Sequence, residues 1–256
     1  MEYIFGRRPI LEALQAGKRS VHKLWIAENT HGTEEILRLA RQHGVPAEFV
    51  SRHFLDAKVQ GHHQGVVAQA SAAAYLELDA FIRSIRPGPT DKSVVVIALD
   101  EIQDPHNIGA ILRSAGFFGI SAAIVPRWRS APVGETAARV SSGAIEHIPL
   151  IRVRNLADAL LDLKEAGFTV IGADMQGETL GSDPLVFDAN TRGSDPMVLV
   201  FGSEGKGLRR LVRERCDKLL KIPGQGPVAS LNVSAAAAIF LYEFCRRSST
   251  GRAPVL

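Results

Sequence analysis

The chain has 256 residues, of which 46% are hydrophobic and 22% are charged, and it carries a formal net charge of +3 with a pI near 9.0. This composition is that of an ordinary globular protein and excludes a low-complexity chain. The uncharged run at residues 222–242 is interrupted by Gly, Pro and polar residues, so we expect no membrane span. Because the N-terminus lacks a signal-peptide core and Cys216 and Cys245 lack metal-ligand spacing, we expect a cytoplasmic protein without a metal site.

A small α/β domain is predicted over residues 1–74. Helical periodicity covers residues 6–17 and 34–44, and strand patterns cover residues 22–27, 47–50 and 65–70. The same segment holds six of the eight histidines and several basic side chains, among them Arg7 and Arg8. Its charge permits two interpretations, a solvated basic surface or a surface that binds RNA.

A linker is predicted over residues 75–92, where the apolar content falls and Pro and Gly accumulate. The run SVVVIALD that follows predicts a strand buried on both faces of a parallel sheet. Further strands are predicted at residues 122–126, 148–153, 168–174, 197–202 and 218–223, and helices at residues 108–118, 134–143, 156–166, 208–214 and 231–247. This alternation indicates an α/β domain with a mostly parallel sheet over residues 93–256.

Three loops follow strands of this sheet, at residues 100–109, 202–207 and 223–232. Ligands of open parallel sheets bind at the carboxyl ends of the strands, so these loops are candidates for the functional site. The second loop, FGSEGKGL, lacks the spacing of a phosphate-binding Walker loop. Its glycines indicate either a simple turn or a close approach of backbone to a ligand.

The first loop leads into a helix through Asn107, a residue type well suited to cap a helix N-terminus. Helical side chains lean toward the N-terminus, so we expect Arg113 to reach over Gly109 and Ala110 toward the helix mouth. The alternative is an arginine that extends into solvent.

The third loop, PGQGPVASLN, offers Ser230 and Asn232 as capping groups before a helix that begins with small residues. The loop PRWRS at residues 126–130 places Trp128 between Arg127 and Arg129. That arrangement indicates either a seat for an unstacked base or a tryptophan that packs on its own domain.

Together these motifs resemble the SpoU/TrmH class of RNA ribose 2′-O-methyltransferases. The resemblance rests on N-x-G-x-x-x-R after a strand, GSEG-x-G after a later strand and IPGQG…SLNVS near the C-terminus, and it covers roughly residues 93–247. The segments YIFGRRPILEAL and HHQGVVA also resemble the N-terminal RNA-binding domain of the bacterial enzyme that methylates a guanosine ribose in 23S rRNA.

The resemblance implies a deep trefoil knot in the C-terminal domain, S-adenosylmethionine as cofactor, RNA as substrate and a homodimer with the site close to the partner subunit. It places cofactor contacts at Gly202, Ile222 and Leu231. It places the catalytic polar set at Asn107, Arg113, Glu204, Ser230 and Asn232. Arg7, Arg8, Arg127, Trp128 and Arg129 are the predicted RNA contacts.

The predicted reaction is methylation of a ribose 2′-oxygen, with a guanosine of 23S rRNA as target. Arg113 is expected to position phosphate and ribose and to assist deprotonation, since a guanidinium stays protonated and binds phosphate bidentately. Two alternatives stay open, a tRNA ribose methyltransferase and a catalytically silent RNA-binding ribosome assembly factor. A nicotinamide-dependent enzyme is excluded because no G-x-G-x-x-G follows an early strand.

Overall fold

The structure is a computed structural model that describes residues 1–85, 94–180 and 196–248, with side chains up to residue 246. Its N-terminal part contains a four-stranded sheet in the order β1-β4-β2-β3. The elements are β1 (Glu2–Phe5), α1 (Arg7–Ala16), β2 (Val21–Ala27), α2 (Glu34–Gln42), β3 (Ala47–Val50), α3 (Arg52–Lys58) and β4 (Val66–Ala70). Sequence patterns predicted this domain but missed β1 and α3, which are only four and seven residues long.

The two N-terminal motifs that carried the resemblance contact each other. The backbone N–H of Arg7 donates to Gln64 Oε1 at 2.9 Å, and β1 pairs with β4. His63 is buried, accepts from the backbone N–H of Gly65 at its Nδ1 and lies with its Nε2 2.9 Å from Asp56 Oδ1. The motif HHQGVVA therefore forms the turn that leads into β4.

The C-terminal part contains a seven-stranded sheet in the order β11-β9-β10-β6-β7-β8-β5, and every pair of neighbours in it is parallel. The predicted α/β fold with a mostly parallel sheet is confirmed. The strands are β5 (Tyr75–Leu76), β6 (Val95–Asp100), β7 (Ala122–Pro126), β8 (Leu150–Val153), β9 (Thr169–Thr179), β10 (Met197–Gly202) and β11 (Lys218–Lys221). The helices are α4 (Leu78–Ser84), α5 (Pro105–Phe118), α6 (Glu135–Val140), α7 (Leu156–Glu165), α8 (Arg210–Arg215) and α9 (Val233–Ser248), with a 3-10 helix at Ala144–Glu146.

The expected linker is partly structured. Its first residues form β5, which pairs with β8 at the sheet edge, and α4 packs Leu78 and Phe81 into the core. The patterns missed these elements because a two-residue strand has no detectable alternation. Residues 86–93 lie outside the described part of the chain, and the domain boundary at residue 74 stays a prediction.

Helices cover both faces of the sheet. One core lies beneath α5, α6 and α9, and includes Ile97, Leu99 and Phe240. The other lies beneath α4, α7 and α8, and includes Val96 and Ala98. Alternate residues of β6 thus enter opposite cores, which explains its unbroken apolar sequence. The connection from β9 to β10 includes residues 181–195, outside the described residues, so the trefoil knot stays a prediction.

Two glycines of α5 allow close packing of helices. A Cβ on Gly109 would lie 2.6 Å from Val140 Cβ of α6, and one on Gly116 would lie 2.8 Å from Ala144 Cβ. The space beside Gly109 is therefore filled by α6. The expectation that this space admits the guanidinium of Arg113 is wrong.

A buried ion pair joins the two parts of the chain. Arg19 Nε lies 3.1 Å from Glu146 Oε2, and each side chain is only 3% exposed. Burial raises the pKa of Glu146, although the nearby Arg19 opposes that shift. Lys18 Nζ donates to the backbone carbonyl of His147 at 3.0 Å, and Glu12 Oε2 lies 2.7 Å from His147 Nε2.

In the described residues, no helix is long and apolar enough to cross a membrane.

Replacing Glu146 by Ala is expected to lower the free energy of unfolding by about 3 kcal/mol, because the buried Arg19 then keeps only the partly exposed Glu2, 3.4 Å from its Nη1, as a charge partner. The double variant Arg19→Met with Glu146→Leu is expected to be about as stable as the wild type, because apolar side chains of similar volume need no charge partner. Urea denaturation measures both. As control, Arg38→Ala removes a partner of the exposed Arg38–Glu35 pair and is expected to cost at most about 1 kcal/mol. Equal stability of Glu146→Ala and wild type would show that the Arg19–Glu146 pair does not stabilise the contact between the N-terminal and C-terminal parts of the chain.

Candidate functional site

The candidate loops meet at the carboxyl edge of the large sheet. Strands β6 and β10 are direct neighbours, with Asp100 opposite Gly202 at their ends, so the first and second loops begin side by side. The third loop joins β11 to α9, and Phe240 of α9 packs edge-on against Phe201 of β10 with ring centroids 5.7 Å apart. This packing brings the start of α9 to the same edge.

Three of the predicted polar residues form one hydrogen-bonded group, which we call the polar trio: Asn107, Glu204 and Asn232. Asn107 Nδ2 donates to Glu204 Oε1 at 2.9 Å, and Asn232 Nδ2 donates to the same oxygen at 2.7 Å. Asn232 Nδ2 also lies 3.0 Å from Asn107 Oδ1, which accepts. Each residue comes from a different loop, so the trio ties all three loops together.

The expected cap of α5 was wrong. Asp104 caps the helix, because its Oδ1 accepts from the backbone N–H of His106 at 2.8 Å and Pro105 occupies the first helical position. Asn107 lies one turn further in and is buried. Its side chain is therefore free of capping and available to Glu204.

The cap predicted for α9 is confirmed for Asn232. Its Oδ1 accepts from the backbone N–H of Ser234 at 2.8 Å and from Ser234 Oγ at 2.5 Å. Because the oxygen caps the helix, the amide nitrogen points at Glu204 and Asn107, and this network fixes the orientation of the amide.

A pocket of about 230 Å³ opens beside the polar trio. Seven of its eight lining residues are polar or charged, namely Glu101, Gln103, Asp104, Asn107, Ser203, Glu204 and Lys206, and the eighth is Ile102. Glu204 Oε2 makes no hydrogen bond to any described residue, so this oxygen is available to accept one. Lys206 is exposed and has no carboxylate partner within the described segments. The pocket thus offers a hydrogen-bond acceptor and a cation to the same ligand.

A charge clamp behind this pocket was not anticipated from the sequence. Asp100 is fully buried, and its carboxylate accepts from the backbone N–H of Arg209 at 2.8 Å and from Arg209 Nε at 2.7 Å. Arg209 Nη1 also lies 3.3 Å from Glu101 Oε1. The signal was an acidic residue ending a buried strand, since a buried charge needs a partner. The partner lies 109 residues away, and local patterns do not reveal it.

The structure does not bring Arg113 or Ser230 to the polar trio. Both are exposed, neither lines the pocket, and neither side chain makes a hydrogen bond within the described residues. Arg113 lies one helical turn before Phe117 on α5, and Phe117 is 83% exposed. In a single chain, Arg113 therefore extends into solvent rather than to the helix mouth.

The expected cofactor residues lie around the ends of β10, β11 and the loop before α9. A Cβ on Gly202 would lie 2.2 Å from the Gly207 carbonyl carbon, because the second loop folds back on itself. Within the described residues, the backbone N–H groups of residues 224–226 and 228–231 donate no hydrogen bonds, and Val228 and Leu231 expose apolar side chains. Free backbone donors beside apolar side chains suit a ligand that is bound largely through backbone.

The expected RNA contacts differ in their surroundings. Trp128 is 65% exposed and lies 5.1 Å from the guanidinium of Arg127, so it does not pack on its own domain. Arg129 lies 3.4 Å from Glu101 Oε1, and Arg8 forms an ion pair with Glu12. The side chain of Arg7 has no hydrogen-bond partner or ion pair among the described residues.

An aromatic and cationic cluster of the N-terminal domain was missed by sequence reasoning. Lys58 Nζ lies 4.4 Å from the ring centre of Trp25, 4.7 Å from that of Phe54 and 5.5 Å from that of Tyr3. These residues are widely spaced in sequence, so only the fold assembles them.

In the described part of the chain, no group of three or more acidic, histidine or cysteine side chains is placed to hold a metal ion.

Two family models match the chain. The SpoU rRNA Methylase family matches residues 94–242, and a model described as RNA 2′-O ribose methyltransferase substrate binding matches residues 3–76. A Bacillus subtilis protein assigned to the TrmH family of tRNA/rRNA methyltransferases is 40% identical over 248 residues, 96% of each chain. A Staphylococcus aureus protein with the same family assignment is 36% identical and covers 95% of each chain.

Solved structures agree with these matches. The SpoU methyltransferase AviRb from Streptomyces viridochromogenes, solved with AdoMet, has a TM-score of 0.77 at 27% identity and covers 98% of this chain and 91% of its own. A TrmH/SpoU tRNA modifying enzyme from A. aeolicus has a TM-score of 0.51 at 26% identity and covers 67% of this chain and 82% of its own. The chain therefore belongs to the SpoU methylase family of RNA methyltransferases.

Proposed function

We propose that this protein transfers a methyl group from S-adenosylmethionine to the 2′-oxygen of a ribose in RNA, and that the ribose belongs to a guanosine of 23S rRNA. The observation that carries the proposal is the polar trio beside a pocket with a free carboxylate oxygen. Support for the ribose comes from the N-terminal family match, whose description names RNA 2′-O ribose methyltransferases. Support for the cofactor comes from AviRb, which was solved with AdoMet.

The pocket suits a ribose and its phosphate. Its volume of about 230 Å³ lies below the ~300 Å³ at which pockets begin to enclose whole small molecules. In our proposal, Glu204 Oε2 accepts from a ribose hydroxyl and Lys206 attracts the adjoining phosphate. Asn107 and Asn232 hold Glu204 in place through its other oxygen.

Placement is the main contribution that these residues make. S-adenosylmethionine, when bound, would supply a methyl group on a positively charged sulfur that leaves as a neutral thioether, so the reaction would create no large new charge. The ribose hydroxyl would release its proton to water, and we propose that Arg113 assists this deprotonation. Holding the 2′-oxygen in line with that methyl is worth on the order of 7–11 kcal/mol. The proposed cofactor contacts are Gly202, Ile222 and Leu231, and Ser230 is proposed to contact cofactor or substrate.

A homodimer is proposed to complete the site. Helices α5 and α9 expose Phe117, Ile239 and Tyr242 on one surface, with exposed fractions of 83%, 39% and 55%. Large apolar side chains gathered on one surface are typical of an interface with another chain. Arg113 lies beside Phe117, so we propose that dimer formation brings it to the RNA phosphate at the partner's site.

Nucleoside analysis tests the proposed reaction. The purified protein is incubated with labelled S-adenosylmethionine and, separately, with unmodified 23S rRNA and bulk tRNA, and the RNA is then digested. We expect 2′-O-methylguanosine from 23S rRNA alone. Label only in tRNA would contradict the proposed substrate and favour the tRNA alternative. Absence of cofactor binding in calorimetry would contradict the proposed reaction and favour an assembly factor.

Arg113→Ala is expected to lower kcat/KM for RNA by about 10²–10³-fold, because a phosphate and transition-state contact is lost. Arg113→Lys keeps the charge but loses the planar fork, so we expect it to recover only part of the activity. Light scattering shows whether the variants remain dimers. Arg210→Ala, which removes an exposed arginine of α8, is the matched control and is expected to retain activity. Near-normal turnover of Arg113→Ala would show that Arg113 has no role in methyl transfer.

A further inference from the structure

A second pocket, of about 330 Å³, lies next to the first along the same edge of the sheet. It opens at the carboxyl ends of β7 and β8 and beside β5, and it is lined by Tyr75, Val125, Pro126, Arg127, Ser130, Ala131, Pro132, Val133 and Arg152. Tyr75 lies at the end of the N-terminal family match, which covers residues 3–76.

The two pockets share a wall. Ser130 Oγ and the backbone N–H of Ala131 both donate to the carbonyl of Ile102, at 3.1 and 2.9 Å. Ile102 lines the first pocket, and Ser130 and Ala131 line the second. An RNA strand that places one nucleotide in the first pocket therefore passes directly to the second pocket.

The second pocket contains a cation that lies directly against an aromatic ring. The guanidinium carbon of Arg152 lies 3.6 Å from the ring centre of Tyr75. Arg152 is exposed, and within the described residues it has no carboxylate partner. Stacking on Tyr75 orders the guanidinium plane without neutralising its charge.

Arg127, which directly follows β7, also has no carboxylate partner within the described segments, and its guanidinium lies near the ring of Trp128. The arginines behind the first pocket differ, since Arg209 and Arg129 are paired with Asp100 and Glu101. Both lining arginines of the second pocket thus keep their charge for an anion from outside the chain.

We infer that the second pocket binds the nucleotide next to the target ribose, and this inference rests on the proposed function. Arg127 and Arg152 bind its phosphate, since a guanidinium matches phosphate oxygens bidentately. Its base lies against the guanidinium of Arg152, because unstacked bases of RNA rest on arginine planes and aromatic rings. Ser130 Oγ donates to Ile102 and keeps its lone pairs to accept from the nucleotide.

The test compares variants of the full chain by filter binding to a 23S rRNA transcript and by methyl transfer to it. Arg152→Ala is expected to weaken RNA binding about tenfold, because stacking and a phosphate contact are both lost. Arg152→Lys is expected to recover part of the loss, Tyr75→Phe to bind as the wild type does, and Tyr75→Leu to bind more weakly. The affinity for S-adenosylmethionine is expected to stay unchanged in all four.

Arg83→Ala is the matched control. Arg83 is an exposed arginine of α4, which packs on the opposite face of the sheet, so its loss removes the same charge away from the pocket. We expect RNA binding of this variant within about twofold of the wild type. Equal RNA affinity of Arg152→Ala and Arg83→Ala would overturn the inference that the second pocket binds a nucleotide. Wild-type protein that binds the transcript but methylates no RNA would overturn the proposed function, while the binding comparison would still decide the pocket.

Discussion

The hydrogen bonds of Glu204 to Asn107 and Asn232 are the contacts on which the candidate site depends. They join loops that are 97 and 28 residues apart from Glu204 in sequence. An ionised carboxylate at a protein surface loses hydration when it lines a pocket, and two amide donors compensate for that loss. They do so at one oxygen only, which leaves the other oxygen for a substrate.

The fold makes this meeting possible in two steps. Parallel pairing of β6 with β10 sets the first and second loops side by side, and the buried Asp100–Arg209 clamp fixes the start of α8 against the end of β6. The packing of Phe240 on Phe201 then fixes α9, whose cap is Asn232. A single side chain thus both begins a helix and holds the site's carboxylate. The buried Arg19–Glu146 pair gives the N-terminal domain a defined position relative to the 3-10 helix at Ala144–Glu146.

Much of the fold was readable from the sequence, because its central strands are buried on both faces. Strands β7 and β10 were predicted with the bounds that the structure gives, since β-branched runs between turn residues have no competing helical reading. The sequence patterns failed where tertiary pairing determines whether a strand forms. An example is β5, a two-residue strand that forms by pairing with β8 at the edge of the sheet. The N-cap of α5 was assigned to the wrong residue because Asp104 and Asn107 can both cap a helix and lie close together. Only Pro105, which favours the first helical position, distinguishes them.

The site was predicted as a set of residues but not as an arrangement. The motif resemblance named all members of the polar trio, yet composition and spacing do not show that Glu204 receives both amides. The same limit applies to Arg113, whose position in one chain leaves it in solvent. It applies also to Arg152 and Tyr75, which carry no local motif and come together through a strand pair at the sheet edge.

A double-mutant cycle on kcat/KM tests most directly whether the polar trio acts as a unit in methyl transfer. Asn107→Ala removes one amide from Glu204, and Asn232→Ser removes the other while keeping a residue that caps α9. We predict that the two changes are not additive and that the coupling energy is at least about 1 kcal/mol, as expected for members of one hydrogen-bond network. Independent, additive losses would contradict the account, because they would mean that the three loops contribute separately.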